Sequence, residues 1–323
     1  MSVKQSVRTL LEQNRDVYLS GEDIASQLSV SRAAVWKAVK SLQTDGYLIS
    51  AVSNKGYRLL PESDILSDAG IRFSLAPQYR DISLDIRKLT GSTNQDAKAL
   101  AVAGAAAGTV VLAEAQTTGR GRLGRSFYSP AGTGLYLSVV LRPAFSFSDA
   151  VLITTAAAVA TARAIESVTG LSPQIKWVND LYLNGKKICG ILTEAVSDFE
   201  SGTIESVVVG IGINFRENPE LPEDLRAVVG ALYDESPAVT RNMLAGAVIS
   251  NLLMLVESLP DRSFLQEYRT RSLVLGKSIR FLENGVWQDA VAVDLNETGG
   301  LVVETAAGRR TLSSGEISVR PVG

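Results

Sequence analysis

The feature that most constrains this sequence is a glycine- and arginine-rich loop set between two strand patterns. In residues 114–130, EAQTTGRGRLGRSFYSP, Gly119, Gly121 and Gly124 are interleaved with Arg120, Arg122 and Arg125. Glycines let the backbone bend close to a ligand, and guanidinium forks grip carboxylate or phosphate at two points, so such a loop suits an anion. Its spacing Gly119-x-Gly121-x-x-Gly124 also fits the dinucleotide fingerprint, which needs a preceding strand, a helix opening on the third glycine and an acid about 20 residues on. Only the first condition holds. Residues 109–112 read as a strand, but 134–140 (GLYLSVV) alternate as another strand, and 141–148 contain no acid. A kinase loop also lies between strands, yet the chain has neither HRD nor DFG. A mobile surface loop is the plainest competing reading.

With 323 residues and 46% hydrophobic content, the chain can bury a substantial core and divide into two or three domains. The single cysteine, Cys189, excludes an internal disulfide and reads as buried filler. The absence of histidine removes the usual zinc site and every Ser-His or Cys-His pair, so proton transfer must use carboxylates, lysines or substrate. The N-terminus offers no signal-peptide core. The longest apolar run, 150–162, contains threonines and stops at Arg163, so it reads as a buried helix. A cytoplasmic chain with no membrane partner is expected.

The net charge of −2 is unevenly spread: residues 1–60 hold eight Lys/Arg against five Asp/Glu, a balance of +3. Val7, Leu10 and Leu11 have helical spacing; a second helix follows Ser20, a cap with Asp23 three places on; Ser31 caps a third helix running through Leu42. On that helix Val35, Val39 and Leu42 form one stripe, and Arg32, Trp36, Lys37 and Lys40 fall on the other side. Residues 47–51 and 57–60 read as short strands around the turn SNKG. Three helices and a basic hairpin make a winged helix-turn-helix, whose third helix enters the major groove while Lys55 and Arg58 reach the backbone beside it. A small helical domain with ordinary surface cations is the plainer alternative. Few phosphate contacts per domain imply two copies on DNA, hence a homodimer.

Residues 61–70 (PESDILSDAG), acidic and broken by Pro and Gly, read as a junction. Downstream, strands outnumber helices and often follow one another directly, giving a mixed α+β segment in which 92–95 (STNQ) open a helix, either as caps or as binding groups. A long helix is expected from 148 to 168, and further helices over 240–259 and 264–271. From 273 on, short β runs alternate with glycine turns, a small β-barrel of the SH3 type. Gly276-Lys277-Ser278 imitates the end of a Walker A loop, but Arg271 stands where its first glycine should be. The expected class is therefore multidomain α+β: a winged helix-turn-helix over 1–65, a central mixed segment over 66–271 and an SH3-like barrel over 272–323.

Four motifs now fall in a familiar order: GRGRLGR at 119–125, KWVND at 176–180, KKICGIL at 186–192 and GIGIN at 210–214. Together they resemble the family of bifunctional biotin protein ligases and biotin-operon repressors, over essentially the whole chain; each motif alone is weak. The resemblance implies that biotin and Mg²⁺-ATP give biotinyl-5′-AMP and pyrophosphate, and that the adenylate acylates a lysine of a carrier domain such as that of acetyl-CoA carboxylase. It also implies that the adenylate favours a dimer that binds operator DNA.

By the same resemblance Ser92, Thr93 and Gln116 hold the biotin head, with Gly119, Arg120 and Gly190 beside it. Arg122 and Arg125 face phosphate and carboxylate, Lys187 bridges the biotin carboxyl and the α-phosphate, and Asn214 with Gly210 and Gly212 meets the adenosine. Arg122, Lys187 and Asp180 are the catalytic candidates, Asp180 to orient the attacking amine or to hold a metal. Phe127 flanks adenine where relatives carry tryptophan, and Val178 replaces the proline of the family's KWPND. Lys187, beside Lys186 after an Asn-Gly turn, also reads as a solvated strand end. The polar segment 216–226 resembles the loop that orders over the adenylate. A nucleotide-sensing repressor without enzymatic activity, and a lipoate ligase, are the competing readings.

Overall fold

A computed structural model of the protein describes residues 2–142, 150–197, 204–234, 239–283, 285–313 and 319–321. The chain divides into two compact units, 1–81 with 235–247, and 82–234 with 248–323. Residues 66–81, read from the sequence as the opening of the central segment, thus belong to the first unit.

In the first unit, α1 (Val3–Gln13) starts with a capping box between Ser2 and Gln5. α2 (Gly21–Leu28) and α3 (Arg32–Thr44) begin where Ser20 and Ser31 accept hydrogen bonds from the backbone N–H groups of Asp23 and Ala34. Val35, Ala38, Val39 and Leu42 of α3 are buried with Val7 and Leu11 of α1. β1 (Ile49–Val52) and β2 (Gly56–Leu59) form an antiparallel hairpin, tied back by reciprocal backbone bonds between Leu19 and Tyr57. At Gly56 (φ +101°) a Cβ would lie 2.0 Å from the Leu19 carbonyl oxygen, so this seam requires glycine. α4 (Asp68–Ser74) follows, capped by Ser67. The segment before it is clamped: Arg241, 1% exposed, donates through Nε to Asp64 at 2.8 Å, and Asn242 bonds Ser67 N and Ile65 O.

The second unit is built on a seven-stranded sheet. Its strands are β3 (Leu84–Arg87), β4 (Val110–Ala113), β5 (Gly134–Leu141), β6 (Gln174–Lys176), β7 (Asp180–Leu183), β8 (Lys186–Ser197) and β9 (Ile204–Asn214). They lie in the order β3-β4-β5-β9-β8-β7-β6, parallel only between β3 and β4. β5 is buried along all eight residues, so both its faces are covered and the alternation read at 134–140 marks no exposed face. α5 (Thr93–Val102) packs Ala97 and Ala101 against Val111, Val140 and Val208 on one face. α6 (Ala150–Thr169) lies on the other, its Thr154 hydroxyl bonding Thr193, which alternates with Leu192 and Glu194 on β8. The expected start of that helix at 148 lies outside the described residues. Over Val151–Thr169 the helix is long and apolar enough to cross a membrane, but 72% of that stretch is buried within the protein, as expected of a core helix.

α7 (Glu223–Arg226) is a single turn, α8 (Arg241–Glu257) begins in the first unit and ends in the second, and α9 (Phe264–Arg271) completes the helices. Ion pairs from Arg163 of α6 to Glu267 and from Arg271 to Glu166 of α6 fasten α9 to α6. The final strands, β10 (Ser278–Glu283), β11 (Val286–Leu295), β12 (Leu301–Thr305), β13 (Gly308–Leu312) and β14 (Val319–Pro321), form an antiparallel sheet in the order β13-β12-β11-β10-β14. Among the described residues no pairing joins β13 to β14, so the expected closed barrel is a five-stranded sheet here. Alternating runs specify strands, but closure depends on edge pairing that no local pattern encodes.

Candidate active site

The sheet face that carries α5 is hollowed by three glycines. Gly190 of β8 is paired with Gly212 of β9, and Gly210 stands two residues further along β9. Each is a close approach: a Cβ on Gly212 would lie 2.6 Å from the Phe127 ring, and one on Gly210 would lie 1.9 Å from Asn94 Oδ1. The arginine loop folds over this trough. It closes on itself through Gly121 N to Arg125 O (2.7 Å) and Phe127 N to Gly119 O (2.9 Å), with Leu123 in the left-handed region (φ 56°) at its tip.

Under the loop is a cleft of about 280 Å³, lined by Ser92, Thr93, Gln116, Arg120, Arg122, Arg125, Phe127, Asp180, Lys187, Gly190, Gly210 and Gly212. Twelve of the fourteen ligase-site candidates therefore converge in one place. Gly119, in the loop itself, is instead buried against Gln116, Phe127 and Ser129, and Asn214 lines an adjoining lobe of about 660 Å³ that shares Arg125, Phe127 and Lys187 with the cleft. Asn214 there donates to Gly230 O at 2.9 Å, holding the 228–230 segment beside Lys187.

The cations are held in place. Arg122 donates through Nη1 to Asn179 Oδ1 (3.0 Å), and Asn179 is fixed in turn by its Nδ2 on Ile191 O and by Ile191 N on its own carbonyl (both 2.9 Å). Burial pushes the Arg122 guanidinium below its ordinary value; Asp180 opposes that shift and Arg125 adds to it. A guanidinium stays charged through such a shift. Lys187 Nζ lies 2.7 Å from Asp180 Oδ1. The Trp177–Val178 peptide preceding Asn179 is cis, and Tyr268, fully buried, donates to the Val178 carbonyl at 3.2 Å. Counting side chains in the cleft, Arg120, Arg122, Arg125, Lys176 and Lys187 face one carboxylate, Asp180. The cleft is cationic in a chain of net charge −2.

A second group of cleft residues is neutral and mostly buried. Gln116 Oε1 accepts from Thr93 N (2.9 Å) and Thr93 Oγ1 (3.1 Å), while its Nε2 donates to Ser129. Ser92 occupies the N-cap of α5 but its hydroxyl makes no capping bond, so the cap alternative is not realised. Asn94 and Asn179 are site residues that sequence reasoning passed over: Asn94 looked like one more helix-opening polar residue, and Asn179, though inside KWVND, had no visible partner. Cys189 is fully buried as expected, and burial pushes its thiol well up, leaving it inert.

The DNA-binding candidates lie in the first unit. Arg32, Trp36, Lys37 and Lys40 are exposed along α3, with Arg32 near Glu22 at 3.6 Å. In the wing, Arg58 pairs with Asp16 (3.2 Å) and lies 4.8 Å over the Tyr18 ring, where Lys55 also sits at 5.8 Å.

Residues 86–214 match the biotin/lipoate A/B protein ligase family, 4–58 an HTH domain and 274–320 the biotin protein ligase C-terminal domain. The chain is 33% identical to the bifunctional ligase/repressor BirA of Bacillus subtilis, over 98% of this chain and 99% of that protein. It is 30% identical to the biotin–[acetyl-CoA-carboxylase] ligase of Mycobacterium tuberculosis, over 72% of this chain and 88% of that one. Among solved structures, the biotin protein ligase of Aquifex aeolicus in complex with biotin and ATP matches with a TM-score of 0.64 at 28% identity, covering 74% of this chain and 99% of that chain. With ligase, helix-turn-helix and C-terminal segments in the same order as a full-length relative, the chain belongs to the biotin protein ligases, in their bifunctional ligase/repressor group.

Proposed function

We infer that the chain condenses biotin with ATP to biotinyl-5′-AMP and pyrophosphate, then transfers the biotinyl group to one lysine of a carrier domain such as that of acetyl-CoA carboxylase. The observation that carries this reading is the convergence of Arg122, Arg125 and Lys187 on one cleft that also holds the neutral Thr93–Gln116 pair. A carboxylate attacking an α-phosphate brings two anions together, a repulsion of about 4 kcal/mol per pair of unit charges 4 Å apart near a protein surface. Fixed guanidinium and ammonium groups offset that repulsion and the charge of the pentavalent transition state without reorganising. Biotin's uncharged head is served by Ser92, Thr93 and Gln116, with Gly119, Arg120 and Gly190 beside it. Arg122 and Lys187 take the carboxylate and α-phosphate, and Arg125, Phe127, Gly210, Gly212 and Asn214 serve the nucleotide.

No three His, Cys, Asp or Glu groups cluster for a metal among the described residues, and the cleft offers Asp180 alone. That donor set fits a magnesium ion held chiefly by phosphate oxygens and water. When bound, the ion would neutralise phosphate charge. In the second step the mixed anhydride is already activated, so the protein's task is positioning the carrier lysine, for which Asp180 is our choice.

The first unit adds a regulatory activity: α3 and the wing bind biotin-operon DNA as a homodimer that forms when the adenylate is bound. The 216–226 segment, which lines the nucleotide lobe, would link occupancy to dimerisation through differential affinity. Equal dimerisation with and without biotinyl-5′-AMP in sedimentation would reject that link. We read the C-terminal sheet as the SH3-like module of the family and the cytoplasm as the site of action. The test of the ligase reading is to incubate the chain with biotin, Mg²⁺-ATP and a carrier domain. The carrier should gain one biotinyl group by mass spectrometry; no gain, or a preference for lipoate in competition, overturns it.

A further inference from the structure

An exposed apolar side chain is ordinary in itself, but Trp36 stands where exposure has a use. α3 turns Val35, Ala38, Val39 and Leu42 into the core of the first unit. Among the described residues Trp36 is the only large apolar side chain of this helix left in solvent, 52% exposed. It is the fifth residue of α3, in the half of the helix that meets base edges when such a domain docks on DNA. Arg32 and Lys40 stand one turn before and one turn after it, and Lys37 follows it. A helical side chain leans toward the N-terminal turn, and there the small, exposed Ala33 leaves the indole room to lie flat.

The cations decide what can cover the indole. A second protein surface would have to desolvate three positive groups, and among the described residues only Arg32 of the three has an ion pair, with Glu22 at 3.6 Å. A nucleic-acid backbone supplies a phosphate to each. With Arg32, Lys37 and Lys40 on phosphates, the ring between them is turned to the floor of the major groove. Every base pair there offers hydrogen-bond donors or acceptors, but the one apolar group is the 5-methyl of thymine.

We propose that Trp36 is a specificity-determining residue of the DNA site, packing its indole face on the methyl group of a thymine in each half-site. The proposal rests on α3 being the DNA-contacting helix and adds what that helix selects. Its cations hold phosphate whatever the sequence, while Trp36 distinguishes thymine from bases that present no methyl at that point.

The test removes the methyl alone. Duplexes are selected from a randomised pool by the full chain with biotin and Mg²⁺-ATP, and each thymine of the selected half-site is then replaced in turn by deoxyuridine, in both half-sites together. At one or two positions wild-type binding should weaken by about fourfold per methyl, on the order of tenfold for the symmetric pair. Trp36→Ala should bind the thymine duplex more weakly than wild type and lose less than about twofold on the same replacement, since it has no ring to lose contact with. A change in DNA shape caused by deoxyuridine would affect both proteins alike and overturn the proposal, as would a wild type indifferent to every replacement. Trp36→Phe keeps an apolar ring without the N–H and should retain the sensitivity; if it binds and discriminates like Trp36→Ala, the contact belongs to the indole N–H and the proposal fails. Loss of dimerisation by Trp36→Ala in sedimentation without DNA would assign this face to a second copy and overturn it too. A full chain that selects no duplex would instead overturn the underlying reading of α3.

Discussion

Gly210→Ala tests whether the floor of the cleft is as tightly specified as its geometry indicates. Gly210 is paired with Leu192 on one side and Ser138 on the other. A Cβ there would lie 1.9 Å from Asn94 Oδ1 and 2.7 Å from Cγ, where ordinary contact begins at 3.4 Å. Asn94 is buried, so its amide can retreat only by breaking its bonds to Ser138, Leu192 O and Glu194. Each buried group left unpaired costs about 1–3 kcal/mol, and overpacking alone about 1–3 kcal/mol. Because the two routes are alternatives in part, the expected loss is about 3–5 kcal/mol, or roughly 6–20 °C in melting temperature at about 2–4 °C per kcal/mol. The transition to follow by circular dichroism is the one that biotin raises, since a ligand stabilises the unit that binds it. Repeating the substitution in an Asn94→Ala background removes the obstructing amide, and there it should cost under about 1 kcal/mol. A Gly210→Ala protein that melts like wild type, or equal costs in the two backgrounds, would refute the reasoning.

Arg122→Met and Lys187→Met should each slow biotin-dependent pyrophosphate release by about 10²–10³-fold with little change in melting, and intact turnover in the double variant would sink the anion-neutralising account. Burial pushes the Glu267 carboxyl up, but hydrogen bonds from Arg163 and Arg271 and their charges outweigh it, leaving the group below its ordinary value of 4.5. A depressed carboxyl stabilises the fold above its unfolded value and loses that contribution as pH falls through the folded one. Glu267→Gln should therefore lower stability by about 1 kcal/mol at pH 7, a modest figure for a partly exposed pair, with the gap closing below pH 4.5; a constant gap down to pH 3 contradicts the sign. Arg32→Ala with Lys37→Ala should weaken operator binding and reduce the log–log salt slope by about two per protomer, leaving biotinylation intact; an unchanged gel shift argues against α3 as the DNA-contacting helix.

The parts of this architecture that were legible in the sequence are those fixed by neighbours a few residues away. Ser20 and Ser31 cap their helices by bonding N–H groups three positions on, a relation visible in any window of four. The eight residues of β5 are all buried and carry no charge, so the run is recognisable as a strand without its partners. What stayed hidden depends on distance along the chain. Asp64 sits in a stretch with the composition of a linker, yet it is clamped to Arg241, 177 positions away. Asn94 and Glu194 are 100 positions apart and Arg122 and Asn179 are 57 apart, so neither pair has a local signature. The four motifs name most of the cleft's lining, but not which of their letters bear on ligand and which bear on each other.

That distinction explains how a chain without histidine and with net charge −2 can hold a site for joining two anions. Arg122 is oriented by Asn179, a neutral amide, so orientation costs it none of its charge; Lys187 is oriented by Asp180, which opposes its field until an anion competes for it. The loop supplies further cations, and its Phe127 ring can lie against the sheet only because Gly190 and Gly212 carry no side chain there, while Gly210 leaves room for Asn94. Small residues below and charged residues above are thus one device: the glycines set how near the phosphate and carboxylate can come to the strands, and the cations set what that nearness is worth. A negative overall charge does not weaken it, since interactions between exposed charges beyond about 8–10 Å are largely screened at ordinary ionic strength and the groups in the cleft act at hydrogen-bond range. Proton transfer, the service histidine gives elsewhere, enters only when the carrier lysine must lose its proton to attack an acyl group that ATP has already activated.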